Sequence, residues 1–102
     1  DLDFYLKTIH HHNYPTAKIE FDSSFCPEPQ RVIDVMQKIK KPWIAFKVMA
    51  AGAIPPKDAF EFAFGGGADF VLAGMFDFEI EEDARLVREV FPMVKRTRPL
   101  QA

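Results

Sequence analysis

Apolar stretches alternate along this chain with segments whose apolar residues recur at helical spacing. The apolar stretches predict three strands, at Phe4–His10, Trp43–Ala50 and Asp69–Met75. The segments between and after them predict three helices, at Pro29–Lys40, Pro56–Phe64 and Ile80–Val94. The last two strands are almost continuously apolar, which is typical of parallel strands that are covered on both faces. This order predicts an α/β fold, in which three consecutive βα units surround a parallel sheet.

The connection between the first strand and the first helix, residues 11–28, is longer than an ordinary loop in a βα unit. Loops of this length tend to be functional or disordered. Lys18–Phe21 predicts a short additional strand within it.

The size of the chain limits what three βα units can form. Its 102 residues suffice for one small domain, residues 1–102, whereas a complete eight-unit barrel needs about 250 residues. The chain starts without methionine and carries 11 phenylalanines, a heavy apolar load for its size. We therefore expect the C-terminal part of a (βα)8 barrel whose other units lie outside this sequence, or a small sheet that self-associates through its open edges.

Charge and composition narrow the classes of partner. The net charge of −2 gives no basic surface for nucleic acid and no polybasic patch for a membrane, and no apolar run is long enough to span a bilayer. The single cysteine, Cys26, excludes an intrachain disulfide. We expect a cytoplasmic protein that binds a small molecule, without a nucleic-acid or membrane partner.

Two motif patterns resemble known barrel families. The segment from Lys47 to Phe76 resembles the last two units of phosphate-binding (βα)8 barrels, through Ala50-Ala51-Gly52-Ala53-Ile54, Gly67-Ala68-Asp69 and Val71-Leu72-Ala73-Gly74. The whole chain resembles an uncharacterised group of aldolase-type barrel proteins, through Lys7–His10, Lys41–Ile54, Gly67–Phe70 and Gly74–Phe78. The resemblance implies a ligand site at the carboxyl ends of the strands. It also implies a lyase or isomerase that acts on a small oxygenated anionic metabolite.

Lys47 is the first catalytic candidate. Side-chain alternation places it on one face of its strand with Ala45, Met49 and Ala51, which we expect to point into the barrel. The opposite face is expected to pack against the helices through Ile44, Phe46 and Val48. An interior lysine can form a Schiff base or hold an anion, and alternatively pairs with an interior acid for structural reasons. Lys7 is expected to hold or activate the substrate with Lys47, while His10 moves protons.

Substrate-binding residues are expected where the last two strands end. These candidates are Gly52, Ala53, Gly74 and Met75. Glycine allows backbone N–H groups to approach an anion, although small residues also simply permit helix–sheet packing. Ala53 replaces a glycine of the phosphate-binding pattern, and acidic residues crowd the segment after the third strand, which opposes a phosphate there.

A divalent metal is the alternative cofactor. His10 and His12 can point the same way at the end of the first strand, and Asp77 can add a carboxylate from the third. Such a ligand set suits zinc, manganese or iron and predicts a metal-dependent isomerase or hydrolase. The histidines can equally cap a strand at the surface. A third hypothesis is a non-catalytic ligand-binding part of a barrel.

The basic residues near the end of the chain are interpreted as complements to the dipole of the last helix, which makes a nucleic-acid role unnecessary. They are Lys95, Arg96 and Arg98. Trp43 is expected to pack at the bottom of the sheet.

Overall fold

Three parallel strands form one sheet in the order β1-β2-β3. The fold is taken from a computed structural model, which describes residues 3–12, 28–50, 52–75 and 77–101. The strands are β1 (Tyr5–Thr8), β2 (Trp43–Phe46) and β3 (Phe70–Leu72). The helices are α1 (Pro29–Met36), α2 (Pro56–Gly65) and α3 (Ile80–Val90), with single 3₁₀ turns at Asp77–Glu79 and Phe91–Met93. The predicted α/β class is therefore confirmed.

Proline starts α1 and α2, at a position where the missing N–H is not needed by the helix. The acidic first turn of α3 lies where the helix dipole favours negative charge. No helix in the described ranges combines the length and apolar character needed to cross a bilayer. The additional strand predicted at Lys18–Phe21 lies outside the described residues.

The strand β2 is shorter than predicted. It ends at Phe46 because the chain turns there: Lys47 and Ala50 have φ angles of +56° and +49°, in the left-handed region. The turn is closed by backbone hydrogen bonds, among them Ala50 N to Lys47 O at 3.1 Å and Ile54 N to Met49 O at 2.9 Å. Side-chain alternation consequently does not extend to Lys47.

The two faces of the sheet are the reverse of the prediction for β2. Trp43 and Ala45 are fully buried in the same core as Phe60 and Phe64 of α2. Ile44 and Phe46 lie on the opposite face, although Val48, beyond the strand, is buried as expected. Apolar residues occupy both faces of β2, so alternation alone could not identify the helix side. The large side chain of Trp43 fills the space between sheet and helices.

The face of the sheet away from the helices is apolar and only partly covered. Cross-strand register places Leu6, Ile44 and Phe70 side by side, followed by Thr8, Phe46 and Leu72. We refer to these six residues as the open face. Leu6, Phe70 and Leu72 are each about half exposed. The open face is the side that further strands would enclose in a barrel, and it carries no charged residue.

The opposite end of the sheet, where the strands begin, is held by Asp69 and Arg98. Arg98 is 2% exposed and donates hydrogen bonds to Asp69 Oδ2 at 2.6 Å and to Gly67 O at 2.7 Å. It also reaches the carbonyl oxygens of Met36, Ile39 and Lys41. Asp69 Oδ2 accepts a further bond from Trp43 N at 2.9 Å. The interpretation of Arg98 as a partner of the helix dipole is therefore wrong, because α3 ends at Val90 and Arg98 binds elsewhere.

Candidate functional site

A cleft of about 430 Å³ lies at the carboxyl ends of β2 and β3. We call it the lysine cleft, and its lining residues are Phe46, Lys47, Val48, Met49, Gly52, Leu72, Ala73 and Gly74. Several of these residues follow their strand directly, because parallel strands bring their carboxyl ends to one edge of the sheet. The sequence-predicted candidates Lys47, Gly52 and Gly74 thus come together in one cleft.

Lys47 is exposed rather than buried in an interior. The left-handed turn carries it out of the strand direction, and its Nζ lies 5.7 Å from the centroid of the Phe46 ring, within cation–π distance. The expected cost of burying an ammonium group therefore does not arise. Lys47 still lines the cleft, so its amine can meet a ligand there.

Gly52 and Gly74 leave open space in this region. A Cβ added to either glycine would meet no atom within 4 Å among the described residues, and Gly52 has a φ of +89°. The alternative explanation, that these glycines permit close packing of helix on sheet, therefore lacks support at both positions. Ala53, another predicted substrate-binding residue, is half-buried and lines neither the lysine cleft nor the cleft that adjoins it.

A second cleft of about 530 Å³ adjoins the first. We call it the acidic cleft, and its lining residues are Met49, Gly52, Ile54, Pro55, Pro56, Gly74, Met75, Glu79 and Asp83. Met49, Gly52 and Gly74 line both clefts. One continuous region at the end of the sheet thus has an amine on one side and two carboxylates on the other. Met75, a predicted substrate-binding residue, belongs to the acidic side.

Asp83 is the functional candidate that sequence reasoning missed. It lies in the first turn of α3 and is only 6% exposed. Burial raises the pKa of its carboxyl above the usual value, and the negative charges of Glu79 and Glu82 raise it further. An acid in the first turn of a helix usually complements the dipole from the surface, so the sequence carried no signal that distinguished Asp83 from its neighbours.

The histidines lie at the end of β1 but line neither cleft. His10 is 1% exposed, and its Nδ1 lies 3.0 Å from the carbonyl oxygen of His11. His11 Nε2 lies 2.9 Å from Asp58 Oδ2 and so joins β1 to α2. The ring centroids of His10 and His12 are 5.5 Å apart. Lys7 is exposed on the edge strand and also lines neither cleft.

The proposed metal ligands do not converge. Within residues 3–12, 28–50, 52–75 and 77–101, no group of three or more His, Cys, Asp or Glu side chains is arranged to hold a metal ion. His10, His12 and Asp77 thus do not form a ligand set. Asp77 is exposed at the start of a 3₁₀ turn, after β3 has ended.

Comparison of the chain with models of protein families, with curated protein sequences and with solved structures finds no match. The class that the fold itself establishes is an α/β protein with a three-stranded parallel sheet. Any statement about its activity rests on the geometry of the two clefts.

Proposed function

We propose that the protein is an aldolase-type lyase or isomerase that acts on a small oxygenated anionic metabolite, and that its βα units are the C-terminal part of a (βα)8 barrel. The observation that carries this proposal is the position of Lys47. It lines a cleft with Gly52 and Gly74 where two neighbouring parallel strands end. Ligands of open and closed parallel sheets bind at this edge.

The chemistry of lysine suits such a substrate in two ways. Its protonated ammonium attracts an anion, and its neutral amine attacks a carbonyl carbon to form an imine. An imine withdraws electrons from the neighbouring carbon, which assists both cleavage of a carbon–carbon bond and proton transfer in an isomerisation. The open space beside Gly52 and Gly74 gives the bound molecule access to Lys47.

The acidic cleft limits the substrate. Glu79 and Asp83 line the space that adjoins Gly52 and Gly74. Two carboxylates repel a doubly charged phosphoryl group at short distance. A phosphate site there is therefore disfavoured, and a compound with one carboxylate and one carbonyl fits the charges better.

Borohydride trapping tests the imine. Purified protein is incubated with pyruvate and sodium borohydride, and the modified residue is located by peptide mass spectrometry. We expect a reduced adduct on Lys47, and no adduct at this site in Lys47→Met. Lys38→Met, a change of an exposed lysine just beyond α1, is the matched control and should leave the labelling intact. Labelling that misses Lys47 would refute the imine mechanism.

As the alternative to further strands of a barrel, we propose that a second copy of the chain covers the open face. Its six residues carry no charge, and the half-exposed Leu6 and Phe70, which line neither cleft, offer apolar surface for this contact. A two-fold axis would bring this surface against itself, as is usual in homodimers.

A further inference from the structure

The acidic cleft is lined by a largely buried residue, Asp83, whose side chain binds no other part of the described protein. Asp83 is 6% exposed and lines the cleft beside Gly74 and Met75. Among the described residues, no hydrogen bond or ion pair to the Asp83 side chain is found. The nearby Arg85 instead binds Glu82 and Glu89 on the exposed side of α3. The Asp83 oxygens are not fully enclosed, so they remain open to a ligand that enters the acidic cleft.

The position of Asp83 relative to Lys47 is the second observation. The two residues line adjoining clefts that share Met49, Gly52 and Gly74 as common walls. A small molecule attached to Lys47 and extending past the two glycines therefore enters the acidic cleft. The glycines place no side chain in that path.

We propose that Asp83 is the group that removes and returns a proton at the carbon next to the carbonyl of a substrate bound to Lys47. This inference rests on the proposed function and names its acid–base residue. It replaces His10, which lines neither cleft. His11 is also unsuited to this acid–base role, because its Nε2 lies 2.9 Å from Asp58 Oδ2 and is occupied by that contact.

The proton-transfer step can be written with pyruvate as the substrate. Lys47 Nζ attacks the carbonyl carbon, water leaves and an iminium forms. The Asp83 carboxylate then takes a proton from the methyl carbon. The electron pair of that C–H bond becomes the C=C bond of an enamine, and the electrons of the C=N bond move to nitrogen. Return of the proton from Asp83 reverses the step, and no oxidant or reductant is needed.

The electrostatics of the cleft suit this role. Burial, together with Glu79 and Glu82, raises the pKa of Asp83 above that of an ordinary aspartate. A carboxylate of raised pKa is a stronger base, and a pKa closer to the working pH makes proton transfer in both directions more effective. Ile54, Pro55 and Met75 contribute apolar walls to the cleft.

Deuterium exchange tests the proposal. Pyruvate is incubated with the full chain in D₂O, and loss of its methyl signal is followed by proton NMR. We expect exchange to fall about 100-fold in Asp83→Asn, the order of effect typical of a general base, while borohydride labelling of Lys47 is retained. Glu89→Gln, which changes another exposed carboxylate of α3 bound to Arg85, is the matched control and should exchange at the wild-type rate.

The outcomes separate the two proposals. Wild-type exchange in Asp83→Asn, with Lys47 still labelled, overturns the role of Asp83 and leaves the lysine mechanism standing. Absence of labelling at Lys47 in the wild type overturns the proposed function, and proton transfer by Asp83 falls with it.

A measurement on the unaltered protein covers the case in which Asp83→Asn does not fold. The protein is prepared with ¹³C-labelled aspartate residues and titrated with pyruvate. The carboxyl resonance of Asp83 should shift, and that of Asp34, an exposed residue of α1, should stay unchanged. An unmoved Asp83 signal overturns the inference.

Discussion

Asp69 and Arg98 form a buried ion pair in which Arg98 Nη1 lies 2.6 Å from Asp69 Oδ2. Both side chains are almost completely removed from solvent. The pair links the residue before β3 to the segment after α3, and Arg98 also donates to four carbonyl oxygens. These bonds satisfy most of the guanidinium donors, so the charge is compensated although it is buried.

Removal of the Arg98 side chain should therefore strongly lower the stability of the fold. Arg98→Ala leaves the Asp69 carboxylate buried without its main partner, and we expect the free energy of unfolding to fall by about 3–5 kcal/mol. Urea denaturation followed by circular dichroism measures the loss. Arg88→Ala, at an exposed position of α3, should cost little by comparison. A loss in Arg98→Ala as small as in this control would contradict the structural role of the pair.

Substitution by alanine should affect stability differently at two nearby glycines, Gly67 and Gly65. Gly67 has a φ of +111°, and a Cβ there would lie 3.0 Å from Cδ of Arg98. Gly67→Ala should therefore lower the thermal midpoint. Gly65 ends α2, and a Cβ there would meet no atom within 4 Å in the described part of the chain. Gly65→Ala should therefore be neutral or stabilising by up to about 1 kcal/mol. Calorimetry of both variants provides the comparison, and equal midpoints would refute it.

Asp83 should make stability depend on pH. The folded-state pKa of Asp83 is raised above the usual 3.8. The contribution of Asp83 to the free energy of unfolding is therefore fully present below pH 3.8, and it is lost as pH rises through the folded-state pKa. The stability of Asp83→Asn lacks this contribution to its pH dependence. We expect this variant to have a higher thermal midpoint than the wild type at pH 7, with the difference shrinking as pH falls toward 4. Thermal scans across this range check it, with Asp34→Asn as the control; a difference independent of pH would count against the prediction.

The open face should determine the oligomeric state. Leu6 is 48% exposed on this face and lines neither cleft. Leu6→Glu places a charge at the proposed contact between copies, so we expect sedimentation to change from dimer to monomer. Met93→Glu alters a residue that is 74% exposed in the 3₁₀ turn after α3, and it should leave the dimer intact. A monomeric wild type would rule out the second copy.

The order of strands and helices could be predicted because it depends on local patterns. Apolar runs and helical periodicity are properties of neighbouring residues, and the observed helices start at the predicted Pro29, Pro56 and Ile80. The end of β2 was not predictable in this way. It depends on positive φ angles at Lys47 and Ala50. Lysine and alanine rarely adopt such angles, so these residue types do not indicate a turn in the sequence.

Arg98 and Asp83 escaped prediction for a different reason. The partners of Arg98 are mainly backbone carbonyl oxygens, which leave no mark in the sequence. Asp83 stands in an acidic helix start, where one buried carboxylate cannot be told from its exposed neighbours. In contrast, the shared position of Gly52 and Gly74 at adjacent strand ends could be predicted from their motif, and both line the lysine cleft; their role in binding stays a prediction.

The bonds of Arg98 join parts of the chain that are distant in sequence. Arg98 reaches Met36 across 62 residues and Asp69 across 29. A segment that contributes no strand to the sheet thus fastens the end of α1 to the residue that precedes β3.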